Sequence, residues 1–149
     1  MNKAVFSLLF TSSLVFAGEA DLKKFFGSFA ELFAATDHKA LIANGMVDFP
    51  LKLKGTLDDS PEIQVSAKQF AAILKKIAEQ PSGMNARNFD ETEKDYVTSQ
   101  AKTGKLPSDA GEGTKRSGNL IFAQKSGKWK LVKVYVSDAL IEEIGKKTR

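Results

Sequence analysis

The sequence predicts an α+β domain in which helices pack on one face of a curved antiparallel sheet. Three observations lead to this prediction. Apolar residues recur at helical spacing over 22–33 and 70–77, they alternate with polar residues over 47–54, and two β-rich runs flank Gly127 near the end. With 149 residues, 42% of them hydrophobic, the chain has the length of one domain with its own core.

The first 17 residues are predicted to be a secretory signal peptide. Lys3 is their only charged residue, and the apolar stretch that follows is shorter than the ~20 residues that span a bilayer. Val15 and Ala17 occupy the small-residue positions of a cleavage site. We expect cleavage after Ala17, which leaves one domain over 18–149 in the periplasm or outside the cell, without a stable membrane span.

The composition excludes several classes of site. The chain has no Cys and one His, so it has no disulfide framework, no thiolate nucleophile and no multi-His metal centre. A net charge of +4 without a cluster of Lys and Arg is too small to indicate nucleic acid binding. We therefore expect no cofactor, no metal and no nucleic acid partner.

The mature chain is predicted to begin with two helices. Thr36 or Asp37 can cap the second, over Asp37–Asn44, and Gly45 can end it. The first helix, of about 16 residues, is indicated by one apolar stripe at helical spacing. That stripe consists of Leu22, Phe25, Phe26, Phe29, Leu32 and Phe33.

Two strands and a third helix should follow. Alternation of apolar and polar residues over Val47–Leu53 predicts a half-buried strand, and Pro50 places that strand at a sheet edge or in a bulge. Glu62–Val65 is a second short strand candidate. Ser66 and Gln69 form a capping box that opens a helix ending before Pro81.

The segment from Phe89 to Gly113 has mixed signals. Asn88 and Glu91 could open a helix, whereas Tyr96 and its β-branched neighbours favour a strand. Lys102–Gly113, rich in Gly and Pro, is expected to be the loosest part of the chain.

The chain is predicted to end with a hairpin and a helix. Leu120–Ala123 and Trp129–Val136 are strand candidates that Ser126 and Gly127 can connect as a two-residue turn. Strand parity then places Trp129 and Tyr135 on the same face. Ser137 or Asp138 can cap the last helix, which we expect to end at Gly145.

This arrangement resembles the nuclear transport factor 2-like superfamily over nearly all of the mature chain. The resemblance rests on the run Val47-Asp48-Phe49-Pro50-Leu51 after a helix pair, and on the hairpin from Asn119 to Leu131. It implies a cone-shaped sheet. Members include enzymes, ligand binders and protein-binding modules, so the fold alone does not select a function.

Asp48 is the candidate catalytic residue. The resemblance implies this role, because isomerase-like members carry a catalytic acid near the start of this strand, where a carboxylate can act as a general base. The alternative is a solvent-facing Asp on the polar side of the strand. Candidate ligand-binding residues, each of which could instead fill the core, are Phe29, Phe33, Tyr96, Trp129 and Tyr135.

Together these observations lead us to expect an exported domain that binds a small apolar molecule or a protein. The alternative is an isomerase-, dehydratase- or hydrolase-like enzyme that uses Asp48 as general base. A third hypothesis is a homodimer formed through the open face of the sheet.

Overall fold

Five helices and six strands make up the described part of the chain, which confirms the α+β prediction. The computed structural model describes residues 3–83 and 91–147, with side chains from Gly18 onward. Within these ranges no helix is both long and apolar enough to cross a membrane. In chain order the elements are α1 (Lys3–Ala34), α2 (His38–Ala43), β1 (Val47–Gly55), β2 (Glu62–Val65), α3 (Ala67–Glu79), α4 (Glu93–Lys102), β3 (Ser108–Gly111), β4 (Thr114–Ser117), β5 (Leu120–Lys125), β6 (Lys128–Val136) and α5 (Asp138–Lys147).

The strands form one sheet in the order β2-β1-β6-β5-β4-β3. All neighbouring strands are antiparallel except β1 and β6, which run parallel at the centre and pair Leu53 with Val134. The sheet thus differs from the expected one in two respects: it is mixed rather than wholly antiparallel, and it is uncurled rather than cone-shaped. Its two edges, β2 and β3, are both short strands.

The core lies between the helices and one face of the sheet. A single cluster of buried side chains includes apolar residues from all five helices and from one face of β1, β5 and β6. On the side of the core that faces α1, the ring of Phe122 on β5 is central. Three rings of α1 lie 5.1–6.0 Å from the Phe122 ring, centroid to centroid. Those rings are Phe25, Phe26 and Phe29.

The opposite face of the sheet, called the uncovered face below, carries the intervening residues of the same strands. Nearly all buried side chains of the described helices belong to the core cluster, so these helices lie mainly on the other side of the sheet. The uncovered face includes Asp48, Lys52, Ile121, Ala123 and Tyr135.

Pro50 lies in a bulge, which is one of its two predicted positions. β1 is an internal strand between β2 and β6, and its register with β6 shifts between Val47 and Lys52. Pro50 lies in this irregular stretch and is exposed. Because proline has no N–H to donate, the irregular stretch is where an internal strand can accommodate it.

A second bulge makes the parity prediction for β6 wrong. Phe122 pairs with Leu131 but Ile121 pairs with Lys133, so Val132 is an extra residue in β6. Trp129 therefore packs toward the core, whereas Tyr135 lies on the uncovered face. The two-residue turn before the strand is confirmed, since Ser126 and Gly127 both have positive φ, as such turns require.

Most predicted helix ends are confirmed. The Ala40 N–H donates to Asp37 Oδ1, Ser66 and Gln69 form the capping box, and the Leu140 N–H donates to Ser137 Oγ. The last helix is an exception, because α5 continues through Gly145 to Lys147.

The described part of the segment 89–113, whose sequence signals are mixed, forms a helix and the first strand of a hairpin. Thr92 caps α4, whose residues include Tyr96, so the helical alternative is the one that forms. Asn88 and Phe89 lie outside the described residues. The stretch Lys102–Gly113, which is predicted to be loose, contains β3. This strand pairs with β4 through a turn at Glu112 and Gly113, so the stretch is not a loop throughout.

Candidate functional site

A groove of about 640 Å³ crosses the uncovered face from β2 to the turn between β3 and β4. Its floor is apolar and includes Ile121, Ala123 and Val132. Ile121 is only 7% exposed, although it lies on the face away from the core, so its neighbours on this face shield it from water. The volume falls within the range of about 300–1,000 Å³ that is typical of small-molecule sites.

The rim of this groove is charged, with both signs present. Lys133 Nζ lies 3.2 Å from Glu62 Oε1, and this pair bridges β6 to the edge strand β2. The groove therefore combines an apolar floor with polar groups that can orient a ligand. The charged lining residues are Lys52, Lys125, Lys133, Asp48, Glu62 and Glu112.

Asp48 is one of the groove residues. Its neighbours in β1, Val47 and Phe49, pack toward the core, so the half-buried Asp48 side chain lies on the uncovered face. Lys52 and Lys133 line the same space. A carboxylate in this position can accept a proton from a bound molecule or pair with its cationic group.

Trp129 lines the groove and also a second cavity of about 530 Å³, where it meets Phe25 and Met46. Its Nε1 is buried and has no hydrogen-bond partner among the described residues. Buried indole N–H groups usually have a partner, so this unpaired donor is an unusual feature of the fold.

The other predicted ligand-binding residues lie elsewhere. Phe29 and Phe33 are fully buried and stack with ring centroids 5.4 Å apart in the core, behind the sheet from the groove. Tyr96 lies on α4 and packs against the core. Tyr135 is on the uncovered face, where Arg116 and Lys133 approach its ring at 4.8 Å and 5.3 Å from the centroid. The structure thus brings only Asp48 and Trp129 together at the groove.

A buried polar cluster, called the polar corner below, lies where α3 ends, α4 begins and β4 turns into β5. It contains all the buried polar and charged side chains of the described residues. These are Gln80, Ser82, Glu93, Ser117 and Asn119.

Glu93 is the ionisable group of the polar corner and is fully buried. Its Oε1 accepts a hydrogen bond of 3.0 Å from the backbone N–H of Asn119, and its Oε2 has no hydrogen-bond partner within the described ranges. Burial raises the pKa of Glu93 to about 7, against the lowering effects of the Asn119 N–H, the Ser82 hydroxyl and the Arg116 charge. Nearby Glu91 raises it further.

Asn119 connects Glu93 to the sheet. Its Nδ2 donates to the Pro81 carbonyl at 2.9 Å, and its own carbonyl accepts from the Tyr135 N–H at 2.9 Å. Burial, followed by the charges of Glu93 and Glu91, raises the pKa of Tyr96. The carboxyl of Glu93 therefore influences groups on α4 and contacts the turn before β5.

Glu93 is not among the functional residues that the sequence predicts. Thr92 followed by Glu93 and Asp95 is a helix-start signal, which predicts the position of α4 but not the burial of one acidic residue. That burial depends on Gly118 and Asn119, which approach from another part of the chain. No local pattern carries this information.

Within the described ranges, no three His, Cys, Asp or Glu side chains gather in a way that could hold a metal ion. Comparisons of the chain with models of protein families, with curated proteins and with solved structures found no match.

Proposed function

We propose that this protein is an exported binding module that holds a small molecule with an apolar body in the groove of the uncovered face. The observation that carries the proposal is the groove itself, whose floor of Ile121, Ala123 and Val132 is apolar and whose rim is charged. Sites of this composition bind small molecules through burial of apolar surface, and a few polar groups set the orientation.

The superfamily resemblance supports the same proposal. The helix pair, the strand carrying Asp48 and Pro50 and the closing hairpin occur in the expected order. We propose on this ground that the chain is a distant nuclear transport factor 2-like protein. Export is part of the proposal because of the leader pattern that ends at Ala17.

Asp48 favours a second candidate function, an enzyme of the isomerase, dehydratase or hydrolase kind. Its carboxylate lines the groove and could act as general base on a bound substrate. General acid–base chemistry usually needs a second titratable group at the reacting atoms. The groove offers Lys52 and Lys133 for this role, whereas Tyr96 and Tyr135 lie outside its lining.

A groove-filling substitution tests the binding proposal. In Ala123→Trp, an indole would occupy the floor of the groove, and Ala72→Trp adds the same side chain at an exposed position of α3. Native mass spectrometry of each protein, isolated from its own compartment, reports the mass of a retained ligand and the number of subunits. We expect ligand mass on the wild type and on Ala72→Trp, and its loss from Ala123→Trp.

Two outcomes would contradict this proposal. Retention of the ligand by Ala123→Trp would place the ligand elsewhere. A ligand-free wild type that is a dimer, and that Ala123→Trp converts to a monomer, would instead make the uncovered face an interface between two copies.

A further inference from the structure

Glu93 joins two parts of the fold that are distant in sequence. It lies in the first turn of α4, and its backbone N–H donates to the Gln80 carbonyl at the end of α3. Its side chain crosses to the turn between β4 and β5 and accepts the Asn119 N–H. A single residue therefore connects α3, α4 and the sheet at this corner, through its backbone N–H on one side and its carboxyl group on the other.

The turn is shaped to receive this carboxyl group. Gly118 has φ +58°, and the ideal position of a Cβ on it lies 2.3 Å from Glu93 Oε1 and 2.7 Å from Oε2. Only a residue without a side chain leaves room for the carboxyl group there. Oε2 is also inaccessible to water, so a negative charge on this group has little solvation beyond the Asn119 N–H and the Ser82 hydroxyl.

The charged and titratable groups that face Glu93 come from each neighbouring element. Arg116 on β4 is the nearby cation, and its Nε donates to the Gly118 carbonyl at 2.7 Å. Glu91 before the helix and Tyr96 within it are the other titratable neighbours. Among the described residues, Arg116 is thus the one cation that offsets the two carboxyl groups of Glu93 and Glu91. Its guanidinium group also lies over the Tyr135 ring.

We propose that Glu93 is a pH-dependent conformational switch. Its neutral form stabilises the contact between the start of α4 and the turn between β4 and β5, and its ionised form destabilises this contact. The physical reason is that burial of a neutral carboxyl group in the polar corner costs far less than burial of a carboxylate that has lost its hydration. Opening of the corner allows water to solvate the carboxylate.

The equilibrium between the closed and the open polar corner should change near neutral pH. Burial raises the pKa of Glu93 from 4.5 to about 7 in the closed state. If opening restores the ordinary value, the opening equilibrium should increase on the order of 50-fold between pH 5 and pH 8. The corner is then closed in mildly acidic surroundings and opens more often above neutrality.

Hydrogen exchange on the full chain tests this inference, with protection factors that correct for the pH dependence of intrinsic exchange. We expect the protection of the Asn119 N–H and of the α4 amides to fall on the order of 50-fold from pH 5 to pH 8. The central pairs of β1 and β6, such as Leu53 with Val134, exchange through global unfolding, which also exposes Glu93, so their protection should fall by a similar factor but stay well above that of the corner. Corner amides that are protected as strongly as these pairs at both pH values would show that the corner opens only with the whole fold and would overturn the proposal.

Two variants and one titration complete the test. Glu93→Gln should keep the protection of the corner constant over this range, and Asp95→Asn, which removes an exposed carboxylate from the same helical turn, should behave as the wild type. NMR titration of the wild-type Glu93 carboxyl should give a midpoint close to 7. A midpoint near 4.5 would overturn the proposal even if Glu93→Gln fails to fold.

Discussion

Gly118 and Glu93 are in direct contact, and no Cβ fits between them: its ideal position on Gly118 lies 2.3 Å from the Oε1 of Glu93. The contact joins a turn of the sheet to the first turn of a helix. It explains why a glycine with positive φ precedes Asn119, whose N–H must reach the same carboxyl group.

Replacement of Gly118 by Ala should destabilise the fold by about 2–4 kcal/mol, since it combines a strained backbone with a clash against a buried group. Gly113→Ala is the matched control, because Gly113 also has positive φ but no atom lies within 4 Å of its ideal Cβ. We expect the control to lose about 1–2 kcal/mol, the cost of the backbone conformation alone. Urea unfolding measures both values, and equal losses would show that the Glu93 contact is unimportant.

Glu93→Gln should stabilise the protein at neutral and alkaline pH. The pKa of Glu93 is raised by burial to about 7 in the folded state, from 4.5, so the folded state binds the proton more tightly. The stability from this proton is fully present below pH 4.5 and is lost as the pH rises to about 7. The free energy of unfolding of Glu93→Gln should therefore match the wild type at pH 4 and exceed it by about 3 kcal/mol at pH 8.

Unfolding midpoints at several pH values measure this difference. Glu79→Gln, which changes an exposed side chain on α3, is the control and should follow the wild type throughout. A difference between Glu93→Gln and the wild type that does not vary with pH would contradict the assignment of the raised pKa to Glu93.

Asp48→Asn should shift the free energy of unfolding by no more than about 0.5 kcal/mol, because the side chain is half-buried on the uncovered face rather than in the core. If the groove is a binding site, the variant should still retain its ligand in native mass spectrometry. Retained ligand together with loss of a chemical conversion seen with the wild type would favour the general-base alternative.

Cleavage of the leader after Ala17 should give a mature protein that begins at Gly18. N-terminal sequencing of the exported protein measures this directly. A protein from the cell envelope that still begins at Met1 would remove the argument for export. Replacement of Ala17 by a large residue such as Phe should slow or shift the cleavage, since the site requires a small side chain there.

The elements with local signals are those that the sequence predicts well. The capping box of Ser66 and Gln69, the cap at Asp37 and the positive φ values at Ser126 and Gly127 all depend on residues within a few positions of each other. The phenylalanine stripe of α1 likewise predicts its own buried face, and Phe26 and Phe29 occupy it.

The features that sequence patterns do not predict depend on distant partners. The parallel pairing of β1 with β6 joins strands that are distant in the sequence, and the bulge at Val132 reverses the strand parity that would otherwise place Tyr135 on the same face as Trp129. β3 has four exposed residues and no apolar pattern, so only its pairing with β4 makes it a strand. The burial of Glu93 likewise depends on residues that are distant in the sequence, Gly118 and Asn119.

The pairing at the centre of the sheet also determines when the protein can fold. Residue 47 pairs with residue 131, so the two strands that hold the sheet together come from opposite ends of the domain. A contact this far apart in sequence is slow to form, and it cannot form until the last strand has left the ribosome. Until then the chain lacks the middle of its sheet, and the pair of β1 and β2 has no partner on its inner side.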